Sequence, residues 1–155
     1  MKLTKEQVCV FLAKHMLMAV ATQGEHPWVA SVYYSFDQDL NLYFLSDPTT
    51  LHCKQIAKNP RVSVAIADSH QSPAMLKIGL QLWGEAQQIS DSRKVSHALN
   101  LWKTTLKVKN KELTYANMVK KVVTGRMYQI TPKLIKLFDQ KQFKVEDGKE
   151  PTLAL

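Results

Sequence analysis

Apolar positions along this chain alternate between a period of two and a period near 3.6, and the changes of period mark its elements. Val8, Phe11, Leu12 and His15 share one helical face behind Thr4. Gln7, three residues on, completes a capping box, so a first helix is expected over about residues 4–15. The apolar run 16–22 reads as a strand, and Gly24 and Pro27 bracket a turn into a second strand at 28–36. A polar turn at 37–39 leads to a third strand at 41–45, giving an antiparallel meander. The loop Ser46–Thr50 then opens onto a helix with Cys53, Ile56 and Ala57 on one stripe. Asn59-Pro60 ends that helix, because the residue before proline is pushed out of the α region, and 61–67 is again strand.

The second half repeats the alternation. A polar loop at 68–73 precedes one long strand expected at 76–89, where Gly79 and Gly84 signal a bulge or close approach. Ser90 or Asp91 caps a helix whose stripe is Val95, Ala98, Leu99, Trp102 and Leu106. After a charged connector, Thr114 caps a further helix with Tyr115, Met118, Val119 and Val122 expected inward and Gly125 at its end. Residues 127–130 and 134–138 alternate as strand, split by Pro132. The chain is expected to hold one domain at 1–140 and a charged, mobile tail at 141–155. Six or seven short-spaced strands with peripheral helices predict an α+β protein built on a closed or nearly closed antiparallel barrel, since closure removes exposed edges.

Composition narrows the function classes. With 21 Lys/Arg against 13 Asp/Glu, the chain carries a net charge of +8, and the bias lies mostly after residue 93. Solvating lysines are the simplest account of it; a nucleic-acid binder would interleave stacking aromatics, so that partner ranks last. Cys9 and Cys53 show neither CxxC nor metal spacing, which favours a reducing cytoplasm. The N-terminus does not read as a signal peptide. No run approaches the roughly 20 apolar residues of a membrane span, so no membrane partner is expected.

The candidate chemistry sits where residues 46–52 turn from strand to helix. A helix N-terminus presents unpaired amides and the positive end of the dipole, which suits a phosphate. Thr50 and His52 are expected either to donate to such an anion or to serve only as an N-cap and a solvated first-turn residue. Ser31, Tyr33 and Ser35 alternate on one face of their strand, as a ligand-facing side or a plain solvent face. Trp83 and Trp102 read as packing anchors, Cys53 as a small core residue, and the histidines show no metal spacing.

The ordered segments MAVAT, WVASVYYSFD, LYFLSDPTTLH, KNP, VSVAI, GLQLWGE and YQITPKLIKLFD resemble the FMN-binding split β-barrel of the pyridoxamine 5′-phosphate oxidase-like family, and within it a small bacterial branch. The resemblance covers residues 1 to about 140. It implies a split barrel, a homodimer, and FMN at the dimer interface serving hydride transfer in an oxidoreductase acting on a small molecule. Carried over by position, the cofactor contacts are Ala30, Ser31, Val32 and Tyr33 of the second strand, Leu45 and Ser46 at the third-strand end, Thr49, Thr50 and His52 at the helix start, and Gln81 near the ring. Better-known members place Arg on the second strand and Arg or Lys at the helix start, where this chain has Ala30, Leu51 and His52. Each missing charge-assisted bond is worth roughly 1.5–3 kcal/mol, so a weaker hold on the phosphate is implied. A non-enzymatic barrel binding haem, a deazaflavin or no cofactor is the alternative.

Overall fold

The computed structural model describes residues 2–155. In chain order the elements are α1 (Lys5–Leu12), β1 (Leu17–Gln23), β2 (Pro27–Phe36), β3 (Leu42–Ser46), α2 (Leu51–Lys58), β4 (Arg61–Ala67), β5 (Ile78–Gln88), α3 (Ser92–Leu106), α4 (Tyr115–Val119), β6 (Arg126–Asp139) and β7 (Thr152–Ala154). The hydrogen-bonded order is β3-β2-β1-β4-β5-β6, and β3 pairs again with β6, closing six antiparallel strands into a barrel. β7 lies outside, on β6. This is the α+β barrel with peripheral helices that the alternation predicts, with the seventh strand added at its edge.

The period-2 pattern explains closure. Met18 faces Val32, and Val20 faces both Ala30 and Val64, so the inward residues of β1, β2 and β4 meet on one side of the sheet. Leu42, Phe44, Leu80, Ile130 and Ile135 complete this interior, each fully or almost fully buried. Each such side chain contributes about 1.5–3 kcal/mol by leaving water. A second cluster lies outside the barrel, where Val95, Ala98, Leu99 and Trp102 of α3 pack with Tyr43 and Met127. Trp102 Nε1 donates to the Tyr33 carbonyl at 3.1 Å, tying α3 to β2. Thr4 caps α1 through the expected capping box with Gln7.

Five local expectations are corrected. α1 stops at Leu12, so His15 lies beyond it, its ring stacked on Phe11. Ala57 faces solvent, because the buried stripe of α2 runs through His52, Cys53, Gln55 and Ile56. α4 ends at Val119 and never reaches the turn that would bury Val119 and Val122, which are 62% and 61% exposed. β6 is one strand, not two. Pro132, which has no N–H to donate, sits opposite Gly84 at the register shift between Trp83 and Gly84, and a Cβ on Gly84 would run into the Thr131 carbonyl. Residues 141–155 are seated rather than mobile: Phe143 is 2% exposed and β7 pairs with Leu134–Lys136.

Candidate functional site

The turn from β3 into α2 forms a closed polar corner. Asp47 Oδ1 accepts from the Thr49 amide at 2.8 Å and from its hydroxyl at 2.7 Å. The Thr50 hydroxyl donates to the Asp47 carbonyl at 2.7 Å and lies 3.3 Å from His52 Nε2. Ser46 Oγ lies 2.7 Å from the same nitrogen. The Thr50 hydroxyl proton is committed to Asp47, so a bond between Thr50 and His52 requires the proton on His52 Nε2.

Thr50 occupies the N-cap position of α2, but its side chain makes no capping bond, so no side chain caps the first-turn amides. The local charge opposes an anion. Hydrogen bonds from the Thr49 amide and hydroxyl, then Thr124 and the nearby Arg126, hold the Asp47 carboxyl below its ordinary range, so it is ionised. The Arg126 guanidinium itself donates to the carbonyls of Met118, Val123, Thr124 and Gly125.

Beneath the corner lies Cys53, 2% exposed. Burial pushes its thiol up, but contacts from His52, Thr50, Tyr128 and Ser46 together pull it further the other way, to about 7. Burial, then contact with Cys53, drives the Tyr128 hydroxyl well above the ordinary phenol range. Sequence reading assigned Cys53 only a packing role and did not include Tyr128, because β6 brings that residue in from more than 70 positions away.

A separate feature occupies the outer face of the sheet. A cleft of about 500 Å³ is lined by Ala19 and Ala21 of β1, Val29 of β2, Ser63 and Ala65 of β4, Gln81 and Trp83 of β5, Leu134 and Lys136 of β6, and Thr152 of β7. Small outward residues make the floor: Ala19 pairs with Ala65, and Ala65 with Gln81. Larger ones make the walls, since Val29 is 61%, Trp83 42% and Leu134 37% exposed. The polar groups are few. Gln81 stands opposite Lys136 in the β5–β6 register, and the Lys136 ammonium lies 3.5 Å from the Glu150 carboxylate.

The residues named from the sequence divide between these two places. Ser46, Thr49, Thr50 and His52 gather at the corner, and His52 is buried and bonded rather than solvated. Gln81 lines the cleft, which no residue from Ser46 to His52 reaches. Ser31 and Tyr33 face outward beside it, whereas Val32 turns into the core and Ala30 opposes Val20 there. Leu45 packs against the α3 cluster. Two expectations about β2 and β5 change: Ser35 is fully buried, and Trp83 is no packing anchor but a wall of the cleft. The signal for the cleft was present in the sequence, as outward positions of β1 and β4 hold Ala19, Ala21, Ser63 and Ala65 rather than charges.

Among the described residues, no group of three His, Cys, Asp or Glu side chains is placed to hold a metal ion. Nor, among the described residues, is any helix long and apolar enough to cross a membrane.

A six-stranded antiparallel barrel with an open, apolar outer face and a separate strand-to-helix corner defines a split-barrel protein. The pyridoxamine 5′-phosphate oxidase family model matches residues 4–120, and the chain belongs to that family. It is 32% identical over 79 residues to a UPF0306 protein of Yersinia enterocolitica, covering 50% of this chain and 53% of that one. A UPF0306 protein of Yersinia pseudotuberculosis is 31% identical over 88 residues, or 52% and 59% of the two chains. The chain thus spans about half the length of the curated relatives it matches. General stress protein 26 of Bacillus anthracis superposes with a TM-score of 0.65 at 16% identity, covering 97% of this chain and 98% of that one. A haem-binding protein of Mycobacterium smegmatis gives 0.69 at 16% identity, covering 99% and 59%. At such identities the likeness establishes the fold.

Proposed function

We propose that this protein binds FMN as a homodimer and serves as an oxidoreductase toward a small molecule, with the flavin ring on the outer face of the barrel. The observation that supports this reading best is the cleft. Its roughly 500 Å³ lies within the range of ligand pockets, and an apolar floor with a few polar groups is what a planar ring requires. Exposed Val29, Tyr33 and Trp83 around an open cleft are costly to leave in water, and a second copy laid on this face covers them and supplies the missing wall.

In this reading Gln81 hydrogen-bonds the polar edge of the ring, Trp83 and Val29 exclude water, and Ala19, Ala21 and Ala65 keep the floor flat. Ser31 and Tyr33 reach the ligand by side chain, Ala30 and Val32 only by backbone, and Leu45 is a backbone contact beside Ser46. The first-turn amides of α2 meet the phosphate, with Ser46, Thr49, Thr50 and His52 as the surrounding polar groups. Hydride transfer is the chemistry FMN supplies when bound, and the chain's part is placement and solvent exclusion. The anionic Asp47 and the engaged Arg126 favour a loose hold on the phosphate.

The corner, with the anionic Asp47 and an Arg126 engaged by backbone carbonyls, also supports a second reading, a non-enzymatic barrel that takes haem or a deazaflavin by its ring. Titration of the purified protein with FMN, riboflavin and haem, followed by visible absorbance, separates these. A yellow complex at micromolar FMN is the expected result; no flavin spectrum at that concentration rejects the flavoprotein reading. Light scattering in parallel measures whether the chain is dimeric.

A further inference from the structure

The net charge of this protein is confined to one region. Residues 93–126 carry nine Lys and Arg against a single acid, Glu112, a net +8 that equals the net charge of the entire chain, so everything outside that segment is balanced. The segment is α3, the connector 107–114, α4 and the turn into β6. It is held firmly on one side by the core, through Leu99, Trp102, Leu113 and Met118.

Internal hydrogen bonds draw the segment together. Lys103 Nζ donates to the Leu113 carbonyl at 3.0 Å, and Asn117 Nδ2 to the Glu112 carbonyl at 2.6 Å. The Asn117 carbonyl in turn takes the amides of Val122 and Val123 at 2.9 and 3.2 Å. The connector and the turn after α4 are therefore neighbours.

Lys107, Lys109, Lys111, Lys120 and Lys121 are all exposed. Among the described residues none of them has an acidic partner within 4.0 Å. Lys107 and Lys121 hold left-handed backbone angles, φ 56° and 59°, where glycine or asparagine is usual. Val119 and Val122, flanking Lys120-Lys121, are 62% and 61% exposed, matched among the large apolar side chains described only by Val29 of the outer cleft at 61%.

We propose that this lobe attaches the protein to the surface of an anionic phospholipid bilayer. Five unpaired lysines match a surface of phosphate and carboxylate headgroups, and two aliphatic tips between them suit the shallow boundary beneath. The composition separates this partner from nucleic acid. A strand of bases is recognised by arginine forks and exposed aromatic faces. Here Arg126 is engaged with backbone carbonyls, the exposed Arg93 stands apart at the start of α3, Trp102 is 9% exposed, and the apolar tips beside Lys120 and Lys121 are valines. No residue of the lobe lines the outer cleft, so attachment leaves that face open. This is surface docking and involves no span.

The test is co-sedimentation of the full chain with phosphatidylcholine vesicles, with and without phosphatidylglycerol, at low and high salt. Binding is expected only to the anionic vesicles and is expected to fall as the Debye length contracts from about 10 Å at 0.1 M to about 3 Å at 1 M salt. Lys120→Glu with Lys121→Glu lowers the partition coefficient by at least about tenfold. Val119→Ser with Val122→Ser lowers it several-fold and leaves the salt slope unchanged. All four side chains are exposed, and unchanged thermal unfolding confirms that each variant is folded. Absence of sedimentation with anionic vesicles at low salt overturns the proposal. So does a valine variant that binds as the native chain does, or an oligonucleotide that binds more tightly than the vesicles.

Discussion

The Ser46 hydroxyl and His52 Nε2 lie 2.7 Å apart across the turn that converts β3 into α2. His52 is 8% exposed, so the pair is a buried contact between two residues that the sequence presents as ligand donors. Ser46→Ala therefore leaves a buried ring nitrogen with only the longer Thr50 contact. A loss of about 1–3 kcal/mol is expected, the usual cost of a buried polar group without its partner. Urea denaturation of the two proteins measures it, and an unchanged midpoint means that the contact carries no stability.

The same corner makes stability depend on pH. The Cys53 thiol titrates at about 7 in the fold, against an ordinary value of 9.0. The folded state thus releases its proton earlier than the unfolded chain does. Between about pH 7 and pH 9 the unfolded state binds more protons, so stability rises with pH through that window and loses this contribution as pH falls below 7. Cys53→Ala is expected to flatten the slope there, read as the change in denaturation midpoint between pH 7 and pH 9. Ser46→Ala, which removes one of the groups pulling the thiol down, raises the lower edge of that window and so narrows it.

Filling the outer cleft tests the proposed function without touching the interior. Ala65 is exposed and pairs with Ala19 on one side and Gln81 on the other. A phenyl ring there occupies the floor where a flavin ring would lie. Ala65→Phe is expected to weaken FMN binding by at least about tenfold and to move the chain from dimer to monomer, while thermal unfolding of the monomer changes little. Flavin titration and light scattering report the two effects. Native affinity in the variant removes this face as the ring site.

The barrel was legible because its signals are local. Alternation at 17–23, 27–36 and 61–67, the Thr4–Gln7 box and the Asn59-Pro60 stop each act within a few residues, and the inward pattern leaves one way to close the sheet. The errors arise where distant chain decides. Pro132 reads as a break until Gly84, 48 positions earlier, is seen opposite it at the bulge. Val119 and Val122 read as a buried stripe because nothing nearby shows that α4 ends after five residues. Trp83 reads as core because apolar residues on an outward position look like any other. Their meaning depends on Ala19 and Ala65 lying beside them. The corner is legible from its loop-to-helix pattern, but its self-satisfied bonding is not, since His52 turns inward to bond Ser46 and Thr50 of the same turn.

The C-terminal segment supplies the last prediction, because its sequence suggests a loose end and its structure does not. The chain turns at Asp139, whose carboxylate accepts the Lys141 and Gln142 amides at 3.0 Å each, and then buries Phe143 to 2% exposure. It returns as β7, with the Leu137 amide donating to Pro151 and the Leu155 amide to Lys133. This covers part of the β6 edge, which would otherwise offer free amides and carbonyls to another chain. Phe143→Ala removes the apolar anchor and is expected to cost about 3 kcal/mol by cavity formation. Deleting 152–155 is expected to cost less in stability but to expose the edge, so aggregation on warming should begin earlier. Urea midpoints read the first effect and light scattering during a thermal ramp the second. A Phe143→Ala protein as stable as the native chain rejects the anchoring role.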